Sequence, residues 1–183
     1  MLFRSVLPSS APAGDPRGRF GPGGQLPGAD DVERAAALVR AARRPVIVVG
    51  QGARGAQAEV IALAERLHAP VLTTFRAKGL VPDSHPLGAG VLGRSGTPVA
   101  SWLMNESDLV IVVGASFSNH TGIAPYKPIV QIDDRPASIG RFHSVAVPLL
   151  ADAAAGVGAL DAATPEVVAV DQRPDVAARW GLW

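Results

Sequence analysis

Cysteine is absent from the 183 residues, so no disulfide, thiolate-held zinc or thiol nucleophile enters the account, and cysteine usage says nothing of the redox compartment. Charge is scarce as well: charged residues make up 18% and the formal net charge is +1, which withholds the basic field that nucleic-acid binding generally needs. Small molecules or other proteins are the partners expected instead, with no nucleic acid. Long apolar runs are missing too. The stretch Met1 to Leu7 breaks at Pro8, far too short for a signal core or a membrane span, so no membrane partner and a cytoplasmic protein are expected. No G-x-S-x-G occurs, which leaves a hydrolase elbow unsupported. His68, His85, His120 and His143 are widely spaced and lack metal-ligand intervals; each reads as a surface or satisfied core histidine before a ligand.

What is plentiful is glycine and proline, 20 and 16 residues, and many of them crowd between Ser9 and Ala29. That segment has too few large apolar residues to offset its own ordering entropy and reads as a disordered tether over 1–29. From Asp30 the character changes. Asp30 with Glu33 reads as a capping box, Val32, Ala36 and Val39 recur on one helical face, and Pro45 ends the helix by Arg44. Arg40, Arg43 and Arg44 then fall in its last turn, where cations complement the helix dipole.

The chain is organised around Pro45-Val46-Ile47-Val48-Val49-Gly50-Gln51-Gly52-Ala53-Arg54-Gly55. Four consecutive branched apolar residues suit a strand buried on both faces, and glycines at 50, 52 and 55 spell G-x-G-x-x-G before a helix over 56–67. A Rossmann-like α/β fold follows, with the helix N-terminus turned toward a phosphate. A dinucleotide reader also wants an acid about 20 residues on, at the end of the next strand. The next strand ends Val71-Leu72-Thr73-Thr74-Phe75-Arg76, without a carboxylate, so tight turn geometry and nucleotide binding stay equally open. Lys78, just past that strand, is a candidate anion contact or a solvated lysine.

Further along, a short strand is expected near Ala89 to Val91, and Thr97-Pro98 reads as the N-cap and first residue of a helix through Met104. Arg94 and Ser95 precede that helix and form a second candidate phosphate or carboxylate site. Asp108 to Gly114 is another buried strand closed by a glycine. Ile129 to Ile132 follows and runs into Asp133, 19 residues after Gly114, close to the ribose-reading separation. Asp133 either meets a ligand at the strand's carboxyl end or caps the turn Asp134-Arg135-Pro136. A last strand over 145–150 leads through Ala151-Asp152 into a helix to about Leu160. A helix from Asp175 then carries two tryptophans, which either pack back on the sheet or belong with a further segment.

Together RPVIVVGQGAR, APVLTTFRAKGLVPDSHPLGAG, ASWLMNESDLVIVVGASF, IVQIDDRPASIG and VPLLAD resemble the central domain of thiamine diphosphate-dependent enzymes such as pyruvate oxidase and acetolactate synthase, over about residues 30–160. The resemblance implies a three-layer, DHS-like NAD/FAD-binding domain with a mainly parallel six-stranded sheet. It would lie between a pyrimidine-binding and a diphosphate-binding domain, over 30–161, with 162–183 as linker and truncated helix. It implies a cleft for FAD or ADP, contacted by Gly50, Gly52, Ala53, Arg54, Thr73, Thr74, Lys78 and Gly114, with Asp133 and Asp152 on the adenosine side. Acetolactate synthases carry Met-His in place of Arg94-Ser95 and Arg-Phe-Asp-Asp-Arg in place of Ser116 to His120, so GQGAR with RAKG looks more like pyruvate oxidase.

The family's catalytic glutamate and its Gly-Asp-Gly metal motif belong to the other two domains, and neither is found here; the one Gly-Asp step is Gly14-Asp15, followed by Pro16. Thiamine diphosphate and magnesium are therefore expected outside this chain. No catalytic residue is assigned within it, and the parent is expected to be a homo-oligomer acting on a 2-oxo acid or related substrate. Two alternatives stay open: a free-standing NAD(P)-dependent oxidoreductase, for which Arg76 could favour a 2′-phosphate, and a scaffolding domain with an empty cleft.

Overall fold

The computed structural model describes residues 24–115, 120–166 and 168–183. The tether expected at the N-terminus lies mostly outside them, as do Ser116, Phe117, Ser118 and Asn119. Helix α1 (Ala29–Ala41) leads into strand β1 (Pro45–Val49), helix α2 (Gln57–Leu67) and strands β2 (Val71–Thr73) and β3 (Gly88–Val91). Helix α3 (Pro98–Glu106), strands β4 (Leu109–Val113), β5 (Ile129–Asp133) and β6 (Val147–Leu150), and helices α4 (Ala153–Ala162) and α5 (Arg173–Leu182) complete the chain. All five strand pairings are parallel, in the order β3-β2-β1-β4-β5-β6.

Every residue of β1, β4 and β5 is buried, which is why β1 and β4 carry branched apolar runs rather than an apolar/polar alternation. Alternate residues serve opposite faces. Ile47, Val49, Ile111, Val113, Val130 and Ile132 meet α1, α2 and α4 on one side. Val46, Val48, Val110 and Val112 meet α3, Val176 of α5 and the loop residues Ile123 and Ala124 on the other. The result is a three-layer Rossmann-like fold, as expected.

Two details of α1 correct the sequence reading. Its N-cap is Gly28, without a side-chain cap, so Asp30 lies inside the first turn and the capping box does not form; Asp31 instead pairs with Arg34 at 2.9 Å. Only Arg40 falls in the last turn. Arg43 and Arg44 lie past the helix, and their backbone N–H groups donate to the two carboxylate oxygens of Asp108 at 2.8 and 2.9 Å. Thr97 caps α3 as read, accepting from the Ala100 N–H at 3.1 Å.

Helix α5 packs back on the molecule. Val176 is buried, the Trp180 indole N–H donates to the Gly88 carbonyl at 2.8 Å, and the Arg179 guanidinium lies 3.8 Å from the Trp102 ring centroid. The Gln172 amide, fully buried, donates to the Pro45 carbonyl at 2.8 Å and ties the start of α5 to the start of β1. Among the described residues no helix is long and apolar enough to cross a membrane.

Candidate functional site

The chain enters the sheet at its centre, fills one side as β2 and β3, then crosses back to place β4 against the other flank of β1. Strand order therefore reverses between β1 and β4, and the crevice outside their carboxyl ends is where open parallel sheets hold ligands. A cleft of about 810 Å³ lies there, walled by residues from the exits of β1 (Gly50, Gln51, Gly52), β2 (Thr74, Phe75, Arg76), β4 (Gly114, Ala115) and β5 (Asp133, Arg135). Leu92, His120 and Thr121 close its rim.

The glycines of G-x-G-x-x-G divide into two roles. A Cβ on Gly50 would stand 2.2 Å from the Gly114 carbonyl oxygen, and one on Gly52 would stand 2.9 Å from the Gly114 Cα. Gly114 itself has φ +58 and leaves no room either, its Cβ position lying 2.5 Å from the Ala53 nitrogen. The exits of β1 and β4 thus pack backbone to backbone, joined by Gly50 N–H to Val113 O at 2.9 Å and Gly52 N–H to Gly114 O at 3.0 Å. Gly55 faces open space. Gly50 and Gly52 thus serve the close approach of two turns, a role that the expectation of tight turn geometry did not name.

A 3₁₀ turn over Gln51–Ala53 separates β1 from α2, and the first residues of α2, expected to face a phosphate, are not part of the cleft wall. Ala53 is buried against the core. Arg54 is exposed outside the cleft wall, its guanidinium donating to the Arg76 carbonyl at 3.3 Å. Thr74 lines the cleft, whereas Thr73 is buried and its hydroxyl donates to the Gly90 carbonyl at 3.2 Å. Lys78 and Arg94 are exposed and outside the cleft wall. The anion site expected at α3 is largely filled: Thr97 accepts one of its free amides, and Pro98 has none to give.

Asp133 caps its turn and also stands in the cleft wall. It is 5% exposed, lines the cleft, and one carboxylate oxygen accepts from the Arg135 N–H at 3.0 Å, capping the turn. Burial raises its pKa above the usual carboxylate value, with Asp134 adding to the rise and the Arg135 backbone opposing it. Asp152 stands apart, as the N-cap of α4, accepting from the Ala154 and Ala155 N–H groups at 3.0 and 3.3 Å. Asp152→Ala is expected to cost about 1 kcal/mol, measured by urea denaturation, with ligand affinity unchanged.

Sequence reasoning did not single out Gln51, Phe75, Thr121 or Arg135 as cleft residues. Gln131 was missed as well: fully buried, it donates to the Ser138 carbonyl at 3.1 Å and accepts from the Gly140 N–H at 3.0 Å, holding the turn that carries Arg135. A lone glutamine inside an apolar strand run was the available signal. Among the described residues no three His, Asp or Glu side chains cluster as a metal site.

A family model described as the thiamine pyrophosphate enzyme central domain matches residues 32–160. YdaP of Bacillus subtilis, whose name attributes thiamine pyrophosphate to it, is 37% identical over 131 residues, 72% of this chain and 23% of its own length. Sulfoacetaldehyde acetyltransferase of Rhodobacter capsulatus is 38% identical over 139 residues, 70% of this chain and 24% of its own. The acetolactate synthase large subunit of Corynebacterium glutamicum is 40% identical over 134 residues, 69% of this chain and 21% of its own. The chain thus spans about a quarter or less of the length of these relatives. Their identities do not separate acetolactate synthase from the other two, so the departures at Arg94-Ser95 do not set this chain apart from that enzyme in overall similarity.

Proposed function

This chain belongs to the family of thiamine pyrophosphate enzyme central domains, and from that premise we propose that it is the middle domain of a larger thiamine diphosphate-dependent enzyme acting on a 2-oxo acid or related substrate. In that assembly it contributes structure and a nucleotide cleft. Thiamine diphosphate and magnesium are held by its partners, the pyrimidine-binding and diphosphate-binding domains, in a cytoplasmic homo-oligomer. The DHS-like domain proper is placed at residues 30–161, followed by a linker and helix over 162–183.

The cleft takes ADP, or the ADP portion of FAD. The observation that carries this is the placement of Asp133, a carboxyl group at the exit of the strand next to β4, in the wall of the cleft at the reversal of strand order. Its position suits a ribose hydroxyl, and about 810 Å³ falls within the range of small-molecule sites. Thr74 and Gln51 supply further polar groups on the β1 and β2 side.

Calorimetry and thermal melting of the purified chain test the reading. Heat of binding and a raised melting temperature are expected with ADP or FAD, and no pyruvate decarboxylation with thiamine diphosphate and magnesium. Silence from both nucleotides would make the cleft purely structural, and turnover by this chain alone would overturn its placement as a non-catalytic middle domain.

A further inference from the structure

Resting on that nucleotide reading, we propose that the ligand's phosphate charge is met by two side chains, Arg76 and Arg135, and not by the glycine turn after β1. Several backbone N–H groups at the strand exits are already spent. Those of Gly50, Gly52, Ala53 and Arg54 go to the carbonyls of Val113, Gly114, Gly50 and Gln51, and those of Thr74 and Gly114 to Val49 and Ile132. The N-termini of α2 and α3 do not supply the lack, the first lying outside the cleft wall and the second being filled by Thr97 and Pro98. The charged donors for a phosphate in this cleft are side chains of its wall.

Arg76 and Arg135 are the lysine or arginine residues that wall the cleft. The Arg76 side chain makes no hydrogen bond or ion pair among the described residues. Among the described residues Arg135 is held only by Asp134, Nε to Oδ1 at 3.7 Å, with both side chains largely exposed. Such a pair is worth little and is readily exchanged for a phosphate. The two arginines approach from opposite flanks, one after β2 and one after β5, with β1 and β4 between them. Three strand spacings separate those exits, about 14 Å, which favours an elongated ligand with more than one phosphate over a single phosphate ion.

The test is a titration of ADP, inorganic pyrophosphate and adenosine into wild type, Arg76→Gln and Arg135→Gln at several salt concentrations, with melting temperatures recorded in parallel. Each variant is expected to melt as wild type and to lose about ten- to a hundredfold in ADP affinity, the range for a hydrogen bond to a charged group. Adenosine binding should not change, and the salt dependence of ADP binding should flatten. ADP binding that is equal in all three proteins would overturn the arginine assignment and leave the nucleotide reading standing. Pyrophosphate binding lost in the variants, with no ADP or FAD binding in wild type, would keep the arginines and remove the nucleotide. No binding of any probe would overturn both.

Discussion

Gly50→Ala is expected to cost about 3 kcal/mol or more, lowering the melting temperature by about 6–12 °C for a domain of this size. The reason is contact and not backbone strain, since Gly50 has φ −108, which any residue adopts. A methyl group there would meet the Gly114 carbonyl oxygen at 2.2 Å, the Ala115 Cα at 2.5 Å and the Ala115 Cβ at 2.7 Å. None of these is the tip of a flexible side chain, so the exits of β1 and β4 must move apart, breaking the Gly50 to Val113 and Gly52 to Gly114 hydrogen bonds between them. Gly114→Ala should be at least as damaging, because it adds the cost of φ +58 to a contact of 2.5 Å with Ala53. Gly55→Ala is the control: nothing lies within 4 Å of its Cβ position, and a change within about 0.5 kcal/mol is expected. Equal losses at 50 and 55, in denaturant titrations, would remove the interpretation of the motif as backbone packing.

Asp133→Asn is expected to raise stability near neutral pH and to weaken nucleotide binding. Burial holds the carboxyl pKa above its unfolded value, so between those two values the folded protein keeps a proton that the unfolded chain has released. Stability accordingly falls as pH rises through that window and is greatest below it. Asparagine keeps an acceptor for the Arg135 N–H and carries no charge to desolvate, so its melting temperature should not show this decline. The same substitution replaces an anionic acceptor for ribose by a neutral one, and a loss of about tenfold or more in ADP affinity is expected. Melting curves and calorimetry across pH check both halves. Parallel pH profiles for the two proteins would show that the carboxyl is not destabilised by burial, and unchanged affinity would remove it from the ribose contact.

Local features were legible where a single stretch of chain decides them. The runs Val46 to Val49 and Leu109 to Val113 announced strands buried on both faces, Thr97-Pro98 a helix start, and the spacing from Gly114 to Asp133 the acid beside the cleft. What depended on distant partners was not. That Gly50 and Gly114 occupy one another's side-chain space follows from β4 lying against β1, which no local pattern encodes. Thr73, implied by the resemblance as a cofactor contact, gives its hydroxyl to Gly90 of β3, a partner that no local pattern encodes. The capping box at Asp30 failed because α1 starts two residues earlier, and Asp31 is drawn to Arg34. Arg135 could be placed only once Gln131 was seen holding its turn beneath the sheet face.

The central claim is that the reversal of strand order between β1 and β4 makes a nucleotide berth in a domain whose chemistry is supplied elsewhere. Amide chemical-shift mapping of the isotopically labelled chain during titration with ADP tests it most directly. The account predicts saturable shifts concentrated at Gly50, Gln51, Thr74, Gly114 and Asp133, with the amides of α1 and α5 unmoved. Shifts confined to another surface, or none at millimolar ADP, would contradict it.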